Sequence, residues 1–436
     1  MVVNKIVQSK NGEKKNYLEC FEKTTVSIRK QIQKKFHTDG LSAIYHLAFS
    51  LLCGILALFF AILFRLLKPL VIIRIRCLYS ERIGHFAANT EIYLCEKDRG
   101  INIPNQRFVD IWYYNSCECN MQLKKMWNRI LKIWPSRLSL LIVLINSHLP
   151  DGELFTIPWR GNQDRDVNNV LEFVPPHLSF TQDEEEFGRI TLDSMGLSSH
   201  DLFVCFIGRD PNYLKLINSN LDTSYHDYRN IDINNYIPAA EEMVNRGYYA
   251  IRMGLEVANA LASNNPGIID YATNGQRSDF MDIYLGAKCH FFISVGTGVD
   301  NIAGIFRRPI LFVNYAPLEY VPSWDKNNIF IPKKHWLDKE QRLMSFREII
   351  ESGAGRFLCT NQYLEMGITL IENTPEEIRE VAIEMEERLK GIWVTTEEDE
   401  ELQRRFWSLY KPSELHGKIY SRIGAAFVRK YQTLLD

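Results

Sequence analysis

Hydrophobic positions follow three regimes along the chain. Between Met1 and Ala43, Leu18, Phe21, Ile28, Ile32 and Phe36 recur at spacings suited to one helical face, among nine Lys/Arg and four Asp/Glu. This predicts a basic amphipathic segment. Leu47 to Phe64 then runs for eighteen residues without a charge, interrupted only by Ser50 and Gly54, which meets the lower length limit for a bilayer-spanning helix. From residue 70 onward, short apolar runs alternate with helical periodicity. The pattern predicts a strand over Leu70–Arg76, a helix over His85–Glu96, a strand over Asp110–Tyr114, a helix from Met121 to Trp134 closed by Pro135, and an apolar strand over Leu138–Asn146. After a polar connection over Leu149–Pro176 the alternation resumes. It predicts a helix over Asp183–Met195 stopped by Gly196, then a strand Leu202–Ile207, a helix Ile237–Arg246 and a strand Tyr248–Arg252, with further strands at Cys289–Ser294 and Pro309–Val313. These runs are apolar on both faces, as the central strands of parallel sheets are.

The expected fold class is therefore α/β, with two lobes of helix-flanked parallel sheet behind a helical N-terminal segment. The boundaries that follow are 1–43 for the basic segment, 44–68 for the hydrophobic segment, 69–180 for the first lobe and 181–395 for the second. Residues 396–436 remain, an acidic bend at Glu397–Glu401 and an amphipathic stretch over Leu402–Gln432.

Composition changes this picture little. The 436 residues carry 51 Lys+Arg and 53 Asp+Glu, so no bulk charge points to nucleic acid as a partner. The near-neutral total conceals a basic N-terminus, and Arg65, Lys68, Arg74 and Arg76 lie beyond the apolar run. Basic residues on both flanks give no clean orientation by the positive-inside rule. A helix in or dipping into the cytoplasmic leaflet satisfies both flanks, and a buried core helix is the alternative. The nine cysteines are scattered and read as reduced thiols of a cytosolic compartment. Cys117 and Cys119 form the only close pair, and no cluster at zinc-site spacing accompanies them, so no metal is expected.

Three groups of residues carry candidate chemistry. Ser294-Val-Gly-Thr-Gly298 follows a buried strand and precedes a short small-residue helix, where Gly296, Thr297 and Gly298 would let backbone amides approach a phosphate. The alternative is a plain tight turn. Arg82-Ile-Gly84-His85, with Asn89 one turn on, stands where the first strand runs into its helix, and a neutral imidazole there can accept a hydroxyl proton. A helix-capping or packed histidine is the alternative. Arg209, Arg229 and Arg252 end strands or adjoining loops of the second lobe and can converge on an anion, or serve as surface ion pairs. Asp164-Arg165-Asp166 has the bare spacing of a metal-holding pair but lies in the polar connection rather than at a strand end. Asp279 and Asp282 are expected to be structural, the first as a helix cap and the second facing solvent or a sugar hydroxyl.

In order, Arg82–Glu96, Gly208-Arg209-Asp210, Tyr228-Arg229-Asn230-Ile231-Asp232 and Ser278-Asp279 through Pro309 resemble a bacterial glycosyltransferase family of surface-polysaccharide biosynthesis. The likeness covers roughly residues 70 to 390. More distantly, Ile72–Arg76 followed by Ile83-Gly84-His85 is similar to the opening of heptosyltransferases, which usually carry Asp where this chain has His85. The resemblance implies a GT-B architecture of two Rossmann-like lobes, with the C-terminal helices crossing back to the first. It implies transfer of a sugar from a nucleotide-sugar co-substrate, with no further cofactor, to a glycan or lipid-linked acceptor. His85 would be the base, and Arg209, Arg229, Arg252 and Ser294–Gly298 would bind the donor, with Arg82, Gly84 and Asn89 supporting the acceptor side. The expected location is the cytoplasmic face of the cell membrane. Rival readings are a nucleotide-sugar 2-epimerase, which shares the fold, and a non-catalytic assembly subunit that has lost the chemistry.

Overall fold

The computed structural model describes residues 40–115, 117–158, 164–210 and 224–436. The basic segment read over residues 1–43 lies almost wholly outside them. The chain divides into two compact units.

Among the described residues, the first unit gathers 40–76, 106–111 and 134–157. Its main helix, α1 (Gly40–Leu67), is about 42 Å long at 1.5 Å per residue. Cys53, Ala57, Ala61 and Phe64, spaced by four, four and three, form a buried stripe. The two alanines let α1 approach α4 (Ser136–Ser147), to which it is packed. Phe60 and Phe64 close on Trp134 at 5.3 and 6.1 Å between ring centroids. The rest of the helix surface stays apolar and open: Leu51, Leu52, Ile55, Leu58, Phe59 and Ile62 are exposed. Polar ties hold the C-terminal end of α1, where Arg65 reaches Asn146 and the Pro150 carbonyl and Lys68 pairs with Asp151 at 2.8 Å.

Strand β1 (Ile72–Leu78) pairs with β2 (Phe108–Tyr114), and a parallel bridge joins Ile75 to Thr156. The stretch expected as a third strand, Leu138–Asn146, is α4. Its apolar residues are nearly unbroken, so periodicity could not separate a buried strand from a helix. Contact with α1 decided for the helix.

The second unit, residues 77–105, 112–133 and 158–436, holds a seven-stranded sheet in the order β12-β8-β7-β6-β3-β4-β5. These are β3 (Leu202–Phe206), β4 (Tyr248–Arg252), β5 (Ile268–Ile269), β6 (Phe292–Ser294), β7 (Ile310–Tyr315), β8 (Ile329–Pro332) and β12 (Arg422–Ile423). Every pairing in it is parallel. Phe203–Phe206 and Ile310–Phe312 are buried throughout, which requires helices on both faces. The covering helices include α6 (Ile237–Asn245) against α11 (Pro375–Leu389), and α7 (Asp279–Lys288) against α8 (Asp300–Ile305). From earlier in the chain, α2 (Ile83–Asp98) packs on α8 and α3 (Met121–Ile130) on α7. A small antiparallel sheet, β10-β9-β11, adjoins them, built from Lys334–Leu337 (β9), Arg342–Leu343 (β10) and Ile368–Ile371 (β11).

The acidic bend expected at Glu397–Glu401 is the first turn of α12 (Glu397–Ser408). Thr396 and Asp399 form a capping box there, and carboxylates at a helix N-terminus are favoured by its dipole. The C-terminal stretch supplies edge strand β12 to the parallel sheet, and Leu402, Phe406, Phe427 and Val428 belong to that sheet's core.

In the first unit, Arg74 and Asp110 form a buried ion pair between β1 and β2, 2% and 7% exposed, with Nε and Nη2 at 2.8 and 2.7 Å from one carboxylate oxygen. Removing one partner leaves a buried charge uncompensated. Asp110→Ala should therefore lower stability by about 3–5 kcal/mol in chemical denaturation, and Arg74→Met with Asp110→Leu should restore most of it. Equal losses in the single and double variants would show that the pair itself carries the stability.

Candidate functional site

The strand order of the parallel sheet reverses between β3 and β6: from β3 the chain adds β4 and β5 on one side, then β6, β7 and β8 on the other. In open α/β sheets ligands occupy the crevice at the carboxyl ends of the strands at such a switch point. Gly208-Arg209 leaves β3 there, Val295–Gly298 leaves β6 and Ala316-Pro317 leaves β7. A cavity of about 520 Å³, a size usual for small-molecule sites, is lined by Arg229, Gly296, Thr297 and Asn301 together with Tyr315, Tyr320 and Trp324.

The glycine turn after β6 is held from within. Gly296 has φ +82°, and a Cβ built there would lie 2.6 Å from the Tyr315 ring. Buried Ser294 donates its hydroxyl to Asp300 at 2.6 Å and accepts from the amides of Gly296 and Thr297 at 3.1 and 3.3 Å. Two of the amides expected to meet a phosphate thus point at Ser294, whose role is to set the turn. The following helix, α8, is only six residues long. Positive charge at this site comes from side chains. Burial pushes the Asp300 carboxyl up to about 7, the Ser294 hydrogen bond and Arg229 opposing. Asp300 is therefore about half protonated at neutral pH, which reduces the repulsion it offers an anion.

Arg229 reaches the site from the turn Ser224–Arg229 and donates to the Gly296 carbonyl. Arg209 lies close enough for the two guanidinium charges to oppose each other. Burial first, and Arg229 second, push Arg209 down to about 10. His226 is pushed down to about 4 by burial and then by Arg209, Arg229 and Arg82, so it is neutral at physiological pH. Among the described residues, Arg209 Nε, Arg229 Nε, His226 Nδ1 and Thr297 Oγ1 are buried without a hydrogen-bond partner. Buried polar atoms are normally satisfied. Four orphaned atoms beside mutually repelling cations form a surface matched to an anion.

The two glycine motifs meet directly. A Cβ on Gly84 would come within 2.8 Å of Gly298 Cα, and one on Gly298 within 3.0 Å of the Gly84 amide nitrogen. This brings the start of α2 against the turn that carries Thr297. His85, half-buried on the first turn of α2, has Nδ1 3.3 Å from Asn89 Oδ1 and its ring 6.0 Å from that of Tyr79. An imidazole donating through Nδ1 to Asn89 leaves Nε2 as an acceptor. His85 is not among the residues lining the cavity, whereas Ala88 and Ile92 of the same helix are. Arg82 is the exposed residue preceding α2.

Arg252 is not brought to the cavity. It is buried beside β5, with Nη1 2.8 Å from the Asn259 carbonyl and 3.2 Å from Asp270. Asp166 accepts the amides of Val170 and Leu171, and Arg165 donates to the carbonyls of Leu415, Tyr320 and Val321, so these two brace the connection, while Asp164 and Arg165 also line the cavity. Ser278, not Asp279, caps α7, and Asp282 is buried against Tyr271 and Arg277 rather than facing solvent.

Glu91, Cys95 and His177 bring possible metal-donor atoms within 4.8 Å of one another. Arg307 occupies their midst, donating to Glu91 at 2.7 Å and lying 3.3 Å from Cys95 Sγ. Burial and Glu91 raise the thiol's pKa, keeping it protonated. This donor set fits a guanidinium rather than a metal ion.

Sequence reasoning did not single out His226, Trp324 or Tyr315. Trp324 carries a usable signal, since an aromatic in Tyr320-Val-Pro-Ser-Trp follows a buried strand at its carboxyl end. The others depend on folding for their meaning.

No family model matches the chain, and no curated protein matches it. Among solved structures it is similar to a glycosyl transferase family 9 protein from Veillonella parvula at 12% identity over 72% of this chain and 96% of that one, with a TM-score of 0.42. It is also similar to the E. coli ADP-heptose lipopolysaccharide heptosyltransferase II at 13% identity over 59% and 90%, with a TM-score of 0.38. At these values the likeness assigns no residue a role.

The contact between the glycine motifs has a direct test. Gly84→Ala must push two backbones apart and should cost about 1–3 kcal/mol in thermal or chemical unfolding. Gly304→Ala, whose new Cβ would meet only Ile310 Cδ1 at 3.7 Å, should be near neutral. Equal effects from the two would show that the close approach is not a constraint.

Proposed function

We propose that this chain is a GT-B-type glycosyltransferase, moving a hexosyl or related sugar from a nucleoside-diphosphate sugar to a glycan or lipid-linked acceptor in cell-envelope polysaccharide biosynthesis. The observation that carries the reading is the uncompensated cluster of Arg209, Arg229, His226 and Thr297 beside a cavity at the sheet's switch point. A diphosphate answers both defects of the empty cluster: it neutralises the repelling guanidinium groups and accepts from the orphaned donors. The aromatic walls at Tyr315, Tyr320 and Trp324 suit a base or sugar ring.

In the proposed reaction His85 Nε2 takes the proton of an acceptor hydroxyl as that oxygen bonds to the anomeric carbon. The bond from the anomeric carbon to the diphosphate oxygen breaks, and the departing charge is stabilised by Arg209 and Arg229. With arginines in that role the transfer should need no metal. The exposed apolar surface of α1 supports residence at the cytoplasmic face of the cell membrane, where confinement beside a lipid-linked acceptor raises its effective concentration.

Purified protein should bind a nucleoside diphosphate from a panel of ADP, UDP, GDP and CDP, and Arg229→Ala should weaken that affinity by about 10–100-fold. His85→Ala should leave binding and folding intact while slowing transfer by about 10²–10⁴-fold. Turnover should survive chelation by EDTA. Product from nucleotide sugar alone would favour an epimerase, and failure to bind any nucleotide would favour a non-catalytic subunit. Replacing Ile55 and Phe59 with Glu should reduce co-flotation with phosphatidylglycerol vesicles; unchanged flotation would remove α1 as the anchor.

A further inference from the structure

Lys333 follows the carboxyl end of β8, on the same edge of the sheet as Arg209, Thr297 and Tyr315. It is 4% exposed, and its backbone amide donates to the Tyr315 carbonyl. Its ammonium donates to the carbonyls of Tyr228 at 3.1 Å and Asn230 at 2.7 Å, the two residues flanking Arg229. Both acceptors are neutral. The adjacent Lys334 is comparably buried at 7% exposure, but it is matched by Glu377 at 2.9 Å. Two neighbouring lysines are thus buried in opposite ways, one against a carboxylate and one against carbonyls alone. A buried ammonium without a salt-bridged carboxylate is costly, and a hydrophobic residue would fill the space more cheaply.

We propose, resting on the diphosphate reading above, that Lys333 is a positioning residue for the donor: it clamps the Tyr228–Asn230 turn so that Arg229 faces the cavity, and it adds a buried positive charge that the bound diphosphate offsets. The charges acting on Lys333 agree with this. Burial is the main cause lowering its pKa to about 8, Glu372 opposes the shift and Arg229 adds to it. Glu372 is engaged with the Asp232 amide and Asn235, both at 3.2 Å.

Of the other groups around the clamp, Asp300, at about 7, ionises at the low end of the range and lowers affinity for an anion in the same direction, so the part of the fall that belongs to Lys333 is the part its replacement abolishes. His335 on β9 is pushed by burial to about 4, Tyr228 and Tyr315 are pushed upward by burial, and Arg209 stands at about 10. As pH rises through about 8, Lys333 loses its charge, and the hold on Arg229 and the attraction for a diphosphate weaken together.

Calorimetric titration of the full chain with ADP, UDP, GDP and CDP between about pH 7 and 9.5 tests this, because the terminal phosphates are then essentially fully ionised. Wild-type affinity for the nucleotide that binds should fall about three- to tenfold, with a midpoint near pH 8. Lys333→Met should bind about tenfold more weakly at pH 7 and show a smaller fall with pH than the wild type, lacking the part centred near pH 8, with its folding checked by thermal unfolding. Lys333→Arg, charged throughout, should keep most of the affinity and also lose the part of the fall centred near pH 8. If the Met variant does not fold, the wild-type and Arg profiles decide the matter. Undiminished binding by Lys333→Met, or a wild-type profile without a fall near pH 8, overturns the role of Lys333 while leaving the diphosphate site standing. Failure of the wild type to bind any of the four removes both.

Discussion

The approach of Gly84 to Gly298 is the constraint on which the site depends. Two backbones meet where neither can carry a Cβ without moving the other. One belongs to the first turn of α2, which bears His85. The other belongs to the turn after β6, which bears Thr297 and whose Gly296 carbonyl accepts from Arg229. A candidate base and a candidate leaving-group site are thereby registered through main chain rather than through flexible side chains. Main-chain contact suits catalytic geometry, where displacements of an ångström are costly. Ser294 reinforces the same turn from below by holding two of its amides, at the expense of their use toward a ligand.

Much of this was legible in residue order, and the parts that were not share a cause. Strands β3, β4, β6 and β7 and helices α2, α5 (Gln182–Ser194), α6 and α11 follow from hydrophobic runs, caps and turn residues that act locally, whereas the meeting of the glycine motifs does not. Leu138–Asn146 was read as a strand because nothing within the segment reveals that α1 packs along it. Glu397–Glu401 looked like a bend because a run of acids resembles a solvated loop until Thr396 and Asp399 are seen to cap one another. Arg252 and Arg229 are the same residue type, one at the end of a strand and the other at the end of a turn. Only the placement of Asp270 separates the arginine that is used up in structure from the one that faces a cavity.

Compensation of charge draws the same line across the second unit. Where a buried charge serves the fold, its partner is present: Arg307 has Glu91, Lys334 has Glu377 and Arg252 has Asp270. Where the sheet reverses its strand order, Arg209 and Arg229 oppose each other, and Lys333 rests on neutral carbonyls. Folding alone would not favour that arrangement, since a buried unpaired ion costs several kcal/mol. The cost becomes useful if an anion enters, because binding then releases the repulsion and supplies the missing acceptors. Asp300 fits the same logic from the opposite sign: burial holds its carboxyl up to about 7, so the acid pressed against the glycine turn carries only part of its charge at neutral pH and offsets the positive field less than an ordinary carboxylate would. A residue's meaning in this unit is therefore carried less by its type than by whether its charge has already been answered within the chain.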